Sequence, residues 1–230
     1  MPVAVITGAS RGLGAALAHA LEGRGWDLVV DGRDAEALLA ATRGTAAHAL
    51  PGDVTDPAHR QRLADAAAAL GGADLLVNNA STLGASPLPA VRDLTDQTLL
   101  DTLVTNVVAP HALTRLVLPQ LLAHRGTVLN ITSDAAVEAY PGWAGYGCAK
   151  AALDHLTRIL GVEQPDLRVY AVDPGDMRTQ MHQDAFPGED ISDRPEPATV
   201  VPHLLALLAG TLPSGRYRAA DLPGTLGASA

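Results

Sequence analysis

The sequence predicts an α/β fold: a doubly wound parallel sheet of about seven strands with helices on both faces. Three observations carry this prediction. Short β-rich runs alternate with Ala/Leu-rich amphipathic stretches along the 230 residues. Several of those runs are continuously apolar, as strands buried on both faces require. The first run also leads directly into a glycine-rich turn and a helix, TGASRGLG at 7–14. A chain of this length suits one large domain, 1–230, better than two small ones.

In chain order, strands are expected at 3–7, 27–31, 46–50, 74–78, 127–132, 167–172 and 216–219, and helices near 12–23, 34–43, 56–70, 97–123, 146–161 and 197–210. The right-handed crossover rule brings the C-terminal ends of all the strands to one edge, where ligands bind. Residues 180–197, QMHQDAFPGEDISDRPEP, show no periodicity and are acidic and Pro-rich. A loop this long in a compact domain reads as a lid over a site or as a disordered segment.

Composition excludes several classes. The chain is 47% hydrophobic but only 3% aromatic, so Ala, Leu and Val fill the interior. Its net charge is −9, and Lys and Arg are dispersed, which excludes a sequence-independent grip on nucleic acid. Cys148 is the lone cysteine, so no intramolecular disulfide forms. No basic region precedes the apolar N-terminal run, and the apolar stretch 197–215 is broken by Pro202, His203 and Pro213. A cytoplasmic protein that does not enter the membrane is expected. The eight histidines form no cluster with zinc spacing, so no metal is expected.

In the glycine turn, Gly8, Gly12 and Gly14 allow tight turning and close approach to a pyrophosphate at the helix N-terminus. The same residues spell G-x-S-x-G around Ser10, the nucleophile-elbow pattern of hydrolases. An elbow draws part of its oxyanion hole from a loop after an earlier strand, and no strand precedes this one. Further on, YGCAK puts Tyr146 where a helix begins and Lys150 one turn later, on the same helix face with about 6 Å of rise between them.

With these motifs the chain resembles the short-chain dehydrogenase/reductase family of the Tyr-x-x-x-Lys type. They occur in the family's order: TGASRGLG at 7–14, DV at 53–54, NNA at 78–80, Asn106, ITS at 131–133, YGCAK at 146–150 and DPGDMRT at 173–179. The resemblance implies an oxidoreductase moving hydride between a nicotinamide and a small-molecule carbonyl or alcohol. It implies that Tyr146 is the general acid–base and that Lys150 lowers its pKa and holds the nicotinamide ribose. Ser133 would stabilise the reacting oxygen, and Asn106 would join a water-mediated proton relay to the lysine.

Cofactor contacts are implied at Gly8, Ser10, Arg11, Gly12, Leu13 and Gly14, and at Asp53 and Val54 on the adenine. Asn79 and Ala80 would line the adenosine side, and Pro174, Gly175, Met177 and Thr179 would orient the carboxamide. Ser81 stands where the family usually has Gly, and Thr132 where Ser or Gly is commoner; in the family picture neither touches a reacting atom. The chain ends without the Gly-rich final segment of many tetrameric relatives, so a homodimer through 97–123 and 146–161 is expected.

After the second strand, VVDGRDAEAL places Asp31, Gly32 and Arg33 near the ribose 2′ position. Aligned on the family pattern, the NAD-selecting acid would fall at Gly32 and the NADP-selecting base at Arg33, with Arg11 as a second cation. NADP is expected, and NAD is the alternative if Asp31 faces the ribose. The rival functions are a nucleotide sensor without turnover and, more remotely, a hydrolase using Ser10.

Overall fold

A computed structural model describes residues 1–224. Its sheet has seven parallel strands: β1 (Val3–Ile6), β2 (Asp27–Gly32), β3 (His48–Pro51), β4 (Leu75–Asn78), β5 (Thr127–Ile131), β6 (Arg168–Asp173) and β7 (Gly215–Arg218). Their order is β3-β2-β1-β4-β5-β6-β7. The winding reverses between β1 and β4, and at such a switch point the crossovers leave a crevice beyond the strand ends.

The strands alternate strictly between two cores. Ala4, Ile6, Leu28, Val30, Leu75, Val77, Leu129 and Tyr170 face one side, with α1 (Gly12–Glu22), α2 (Ala35–Ala41) and α8 (Val201–Ala209). Val3, Val5, Val29, Leu76, Val128 and Val169 face the other, against α3 (Pro57–Ala69) and α5 (Ala109–His124). The parallel pairing explains why these runs are apolar throughout.

Three expectations need correction. The helix expected over 97–123 is α4 (Asp96–Leu103), a π-helical segment at Val104–Val108, and α5. Pro110 has no N–H to offer the carbonyl of Asn106 four residues back, so the regular ladder fails there. The helix expected to open at Tyr146 is α6 (Ala144–Glu163), which starts two residues earlier. The aperiodic segment 180–197 contains α7 (Gln180–Ala185), whose first turn is capped by the Thr179 hydroxyl accepting from the His182 amide at 3.2 Å. Six residues are too few to show periodicity in sequence. Residues 186–196 remain irregular.

Candidate active site

A cleft of about 1340 Å³ runs along the C-terminal edge of β1, β2, β4, β5 and β6. Gly8, Ser10, Arg11, Gly12 and Leu13 line it, as do Arg33, Asp53, Val54, Asn79 and Ala80. Ser133, Tyr146, Lys150, Pro174, Gly175, Met177 and Thr179 line its other half. Two expected residues lie off it. A Cβ at Gly14 would sit 2.5 Å from Asn79 Nδ2 and 2.6 Å from the Gly8 carbonyl, so its lack of a side chain seats α1 against the turn. Asn106 is buried behind the cleft, in the π-helical segment.

The glycine turn is held from below. Gly8 has φ +68°, and a Cβ there would meet Ala80 Cα at 2.8 Å; only glycine fits. Its amide donates to Asp31 Oδ1 at 2.7 Å, and Asp31 Oδ2 lies 3.1 Å from His59 Nε2. Asp31 is therefore buried and committed to the turn. Asn79 Nδ2 donates to the carbonyls of Thr7 and Gly8, tying the β4 loop to the same turn. At the start of α1, Arg11 provides no side-chain cap, whereas Asp34, Asp56 and Thr95 cap the next three helices. The first amides of α1 are thus left for an anion.

At the far end of the cleft, Tyr146 and Lys150 share the buried face of α6. Lys150 is 2% exposed, and its Nζ donates to the Ile131 carbonyl at 2.7 Å and lies 5.4 Å from the Tyr146 ring centroid. Burial pushes its pKa down to about 8, opposed by the charge of Asp154. Burial also pushes the Tyr146 phenol above its ordinary value, opposed by polar contacts with Ser81 and Ser133. This corrects the expectation that Lys150 lowers the phenol's pKa. In this state desolvation is the largest influence on the phenol. The Ser133 hydroxyl donates to Asp134 Oδ1 at 2.9 Å, so it must rotate to serve a substrate oxygen.

Sequence reasoning missed several neighbours. Ser81 Oγ donates to Asn106 Oδ1 at 3.1 Å and also contacts the Tyr146 phenol, so this serine touches the group expected to react. The Asn106 side chain is otherwise spent on Thr82, accepting from its amide at 2.9 Å and donating to its carbonyl at 2.8 Å. Arg216 on β7 donates to Asp154 Oδ2 at 2.9 Å, the Ser133 carbonyl at 3.0 Å and Asp173 Oδ2 at 3.4 Å. It thereby braces the loop of Ser133 and the carboxylate one turn beyond Lys150. The i, i+4 spacing of Lys150 and Asp154 was a usable signal for a buried pair; the partner from the last strand was not.

The rival reading of Ser10 has no support in the fold. Ser10 lacks the left-handed backbone that Gly8 and Gly12 adopt, and no histidine hydrogen-bonds to it among the described residues. Among the described residues, no three metal-ligating side chains gather, and no helix is long and apolar enough to cross a membrane.

A family model described as short chain dehydrogenase matches residues 2–190. The chain is 36% identical over 206 residues to an uncharacterized oxidoreductase of Mycobacterium tuberculosis, covering 86% of this chain and 77% of that one. It is 36% identical over 184 residues to serine 3-dehydrogenase of Agrobacterium fabrum, covering 76% and 72%. Among solved structures, a short chain dehydrogenase from Pseudomonas syringae superposes with a TM-score of 0.88 at 26% identity, covering 95% and 94%.

Proposed function

This chain belongs to the short-chain dehydrogenase family of oxidoreductases, and we propose that it moves a hydride between NADP(H) and a small carbonyl or secondary alcohol, with Tyr146 as general acid–base. One observation carries this reading: Tyr146, Lys150 and Ser133 line the same cleft as an uncapped, glycine-rich helix start.

The residues fit a dinucleotide. The free amides of α1 and the turn at Gly8 and Gly12 suit a pyrophosphate, and Asp53 and Val54, which line the same cleft, would hold the adenine. When bound, the nicotinamide supplies or accepts the hydride. The chain's own task is then proton transfer and charge control. Tyr146 gives its proton to a carbonyl oxygen, or takes one from an alcohol, and Ser133 donates to that oxygen once it turns from Asp134. Lys150 holds a positive charge under the phenol and stabilises the phenolate left behind. Asn106 would keep its assigned place in a water relay to Lys150 through its backbone, since its side chain is engaged by Thr82.

The 2′ corner favours NADP. A Cβ at Gly32 would come within 2.9 Å of Ser10 Cβ, leaving no room for an acid there. Asp31 is committed to Gly8 and His59. Arg33 is exposed and makes no ion pair among the described residues, and Arg11 holds Asp34 only at 3.4 Å, with both side chains more than half exposed. Segment 180–197 would close over the substrate. Exposed Leu100, Val104, Val108 and Leu122, with Ile159 and Val162 on α6, support a homodimer through those helices. A cytoplasmic setting fits the free, exposed Cys148. A nucleotide sensor without turnover would gain nothing from burying Lys150 beneath a tyrosine, at the cost of desolvating its charge.

NADPH consumption followed at 340 nm over a panel of ketones tests the proposal. Tyr146→Phe is expected to lower kcat by at least ~10²-fold while cofactor still binds. Near-native turnover in that variant would remove Tyr146 from the chemistry.

A further inference from the structure

The chain has few aromatic residues: two Trp, four Tyr and one Phe, seven in all. Four of these seven form one connected group at the mouth of the cleft. Trp143 is its hub, with ring centroids 6.2 Å from Tyr140, 5.6 Å from Tyr146 and 5.9 Å from Phe186. The neighbours come from two directions, the turn into α6 and the end of α7, where Phe186 also meets the His182 ring at 5.0 Å. An indole serving only to fill the interior would be buried and would belong to one of the cores. Trp143 is only half-buried, belongs to neither core and lines the cleft beside Tyr146 and Ser133.

A carbonyl hydrogen-bonded to Tyr146 would have one of its two substituents beside the indole. The charges around it point the same way. Asp134, Asp176 and Asp184 line this half of the cleft. Arg178, the guanidinium among them, is already paired with Glu196, and His182 lies 3.7 Å from Asp176. An anionic substituent would meet carboxylates whose balancing cations are engaged.

We propose that the substrate is a ketone, or the matching secondary alcohol, bearing a flat aromatic group and no anionic group, and that Trp143 is the wall against which the ring packs. The assignment rests on the hydride-transfer reading for its carbonyl and on the aromatic group for its substituent. Aromatic pairing beyond burial of equal area amounts to about 2- to 12-fold in affinity, and that range sets the expected contrast.

Two measurements test it. In kcat/KM with NADPH, acetophenone should exceed cyclohexyl methyl ketone by about 2- to 12-fold, and methyl 4-acetylbenzoate should exceed 4-acetylbenzoate. Trp143→Ala should erase the phenyl-over-cyclohexyl preference, whereas mere disturbance of Tyr146 would slow both ketones alike. The second measurement needs no turnover. Trp26→Phe combined with Tyr146→Phe leaves Trp143 as the sole indole, and 1-phenylethanol should change its emission saturably at lower concentration than 1-cyclohexylethanol, with NADP present. If the alcohols show this preference but no ketone consumes NADPH, hydride transfer is refuted and the aromatic pocket is supported. If ketones are reduced without preference for phenyl, or Trp143→Ala slows all of them equally, the pocket assignment is overturned and hydride transfer stands.

Discussion

Arg216→Ala offers the sharpest test of the brace behind the Ser133 loop. The guanidinium reaches three acceptors, and two of them are carboxylates whose side chains are only 5% (Asp154) and 6% (Asp173) exposed. Its removal leaves both carboxylates without their shared cation. Breaking a buried pair by deleting one partner costs about 3–5 kcal/mol. The Arg216 side chain is 23% exposed, so water can replace part of its role, and about 2–4 kcal/mol is the expected loss. For a chain of this size that lowers the thermal midpoint by roughly 4–16 °C.

The pH dependence of that loss has a definite sign. Burial raises the Asp154 pKa above its ordinary value, while Thr132, Arg216 and Lys150 draw it back. A carboxyl with a raised folded pKa binds its proton more tightly in the folded state. It therefore costs stability above that pKa, and the cost vanishes below the unfolded value of about 3.9. Without Arg216 the folded pKa rises further, so the variant's deficit is full near neutrality and shrinks toward acid. Urea unfolding at several pH values measures this, and Arg216→Ala combined with Asp154→Asn should recover part of the loss. A deficit below about 1 kcal/mol at neutral pH, or one that grows toward acid, would refute the buried brace.

The remaining predictions concern the cleft. Arg33→Ala should weaken NADP binding by about tenfold and leave NAD unchanged, the low end for a charge-assisted contact at an exposed site; tighter binding of NAD to the unmodified protein in isothermal titration would contradict it. Lys150→Ala should impair both turnover and nucleotide affinity, and a pure kcat defect would remove its ribose-binding role. Ser81→Ala should raise the apparent pKa governing alcohol oxidation by about half to one pH unit, since the phenolate loses the donor that the Ser81 hydroxyl becomes on turning from Asn106. An equal slowing at every pH would make Ser81 merely structural.

The parts of this protein legible in its sequence are those set by local geometry. Period-2 burial follows from the pleat, so β1, β2, β4 and β5 could be located from their apolar runs alone. The shared face of Tyr146 and Lys150 follows from helical rise, and it survives a start of α6 two residues earlier than expected. What escaped depends on contacts between distant segments. The π-helical segment had a local cause in Pro110, but its consequence is a bond from Asn106 to the loop after β4. Ser81 looked like a harmless replacement for glycine until the fold set it between Asn106 and the phenol.

The error about Tyr146 is the most instructive. Spacing reveals that a cation lies one turn from the phenol, yet the pKa depends on how far both groups have left water. The burial that raises the phenol also draws Lys150 down to about 8, so near neutral pH the lysine still holds its proton. In the proposed reaction its charge, undiminished by solvent screening, would be most effective toward a phenolate at Tyr146 rather than toward the resting phenol. On the proposed reading the pair would serve differential stabilisation of the charged state, and the neutral resting tyrosine is the form that reduction of a carbonyl would need as its acid.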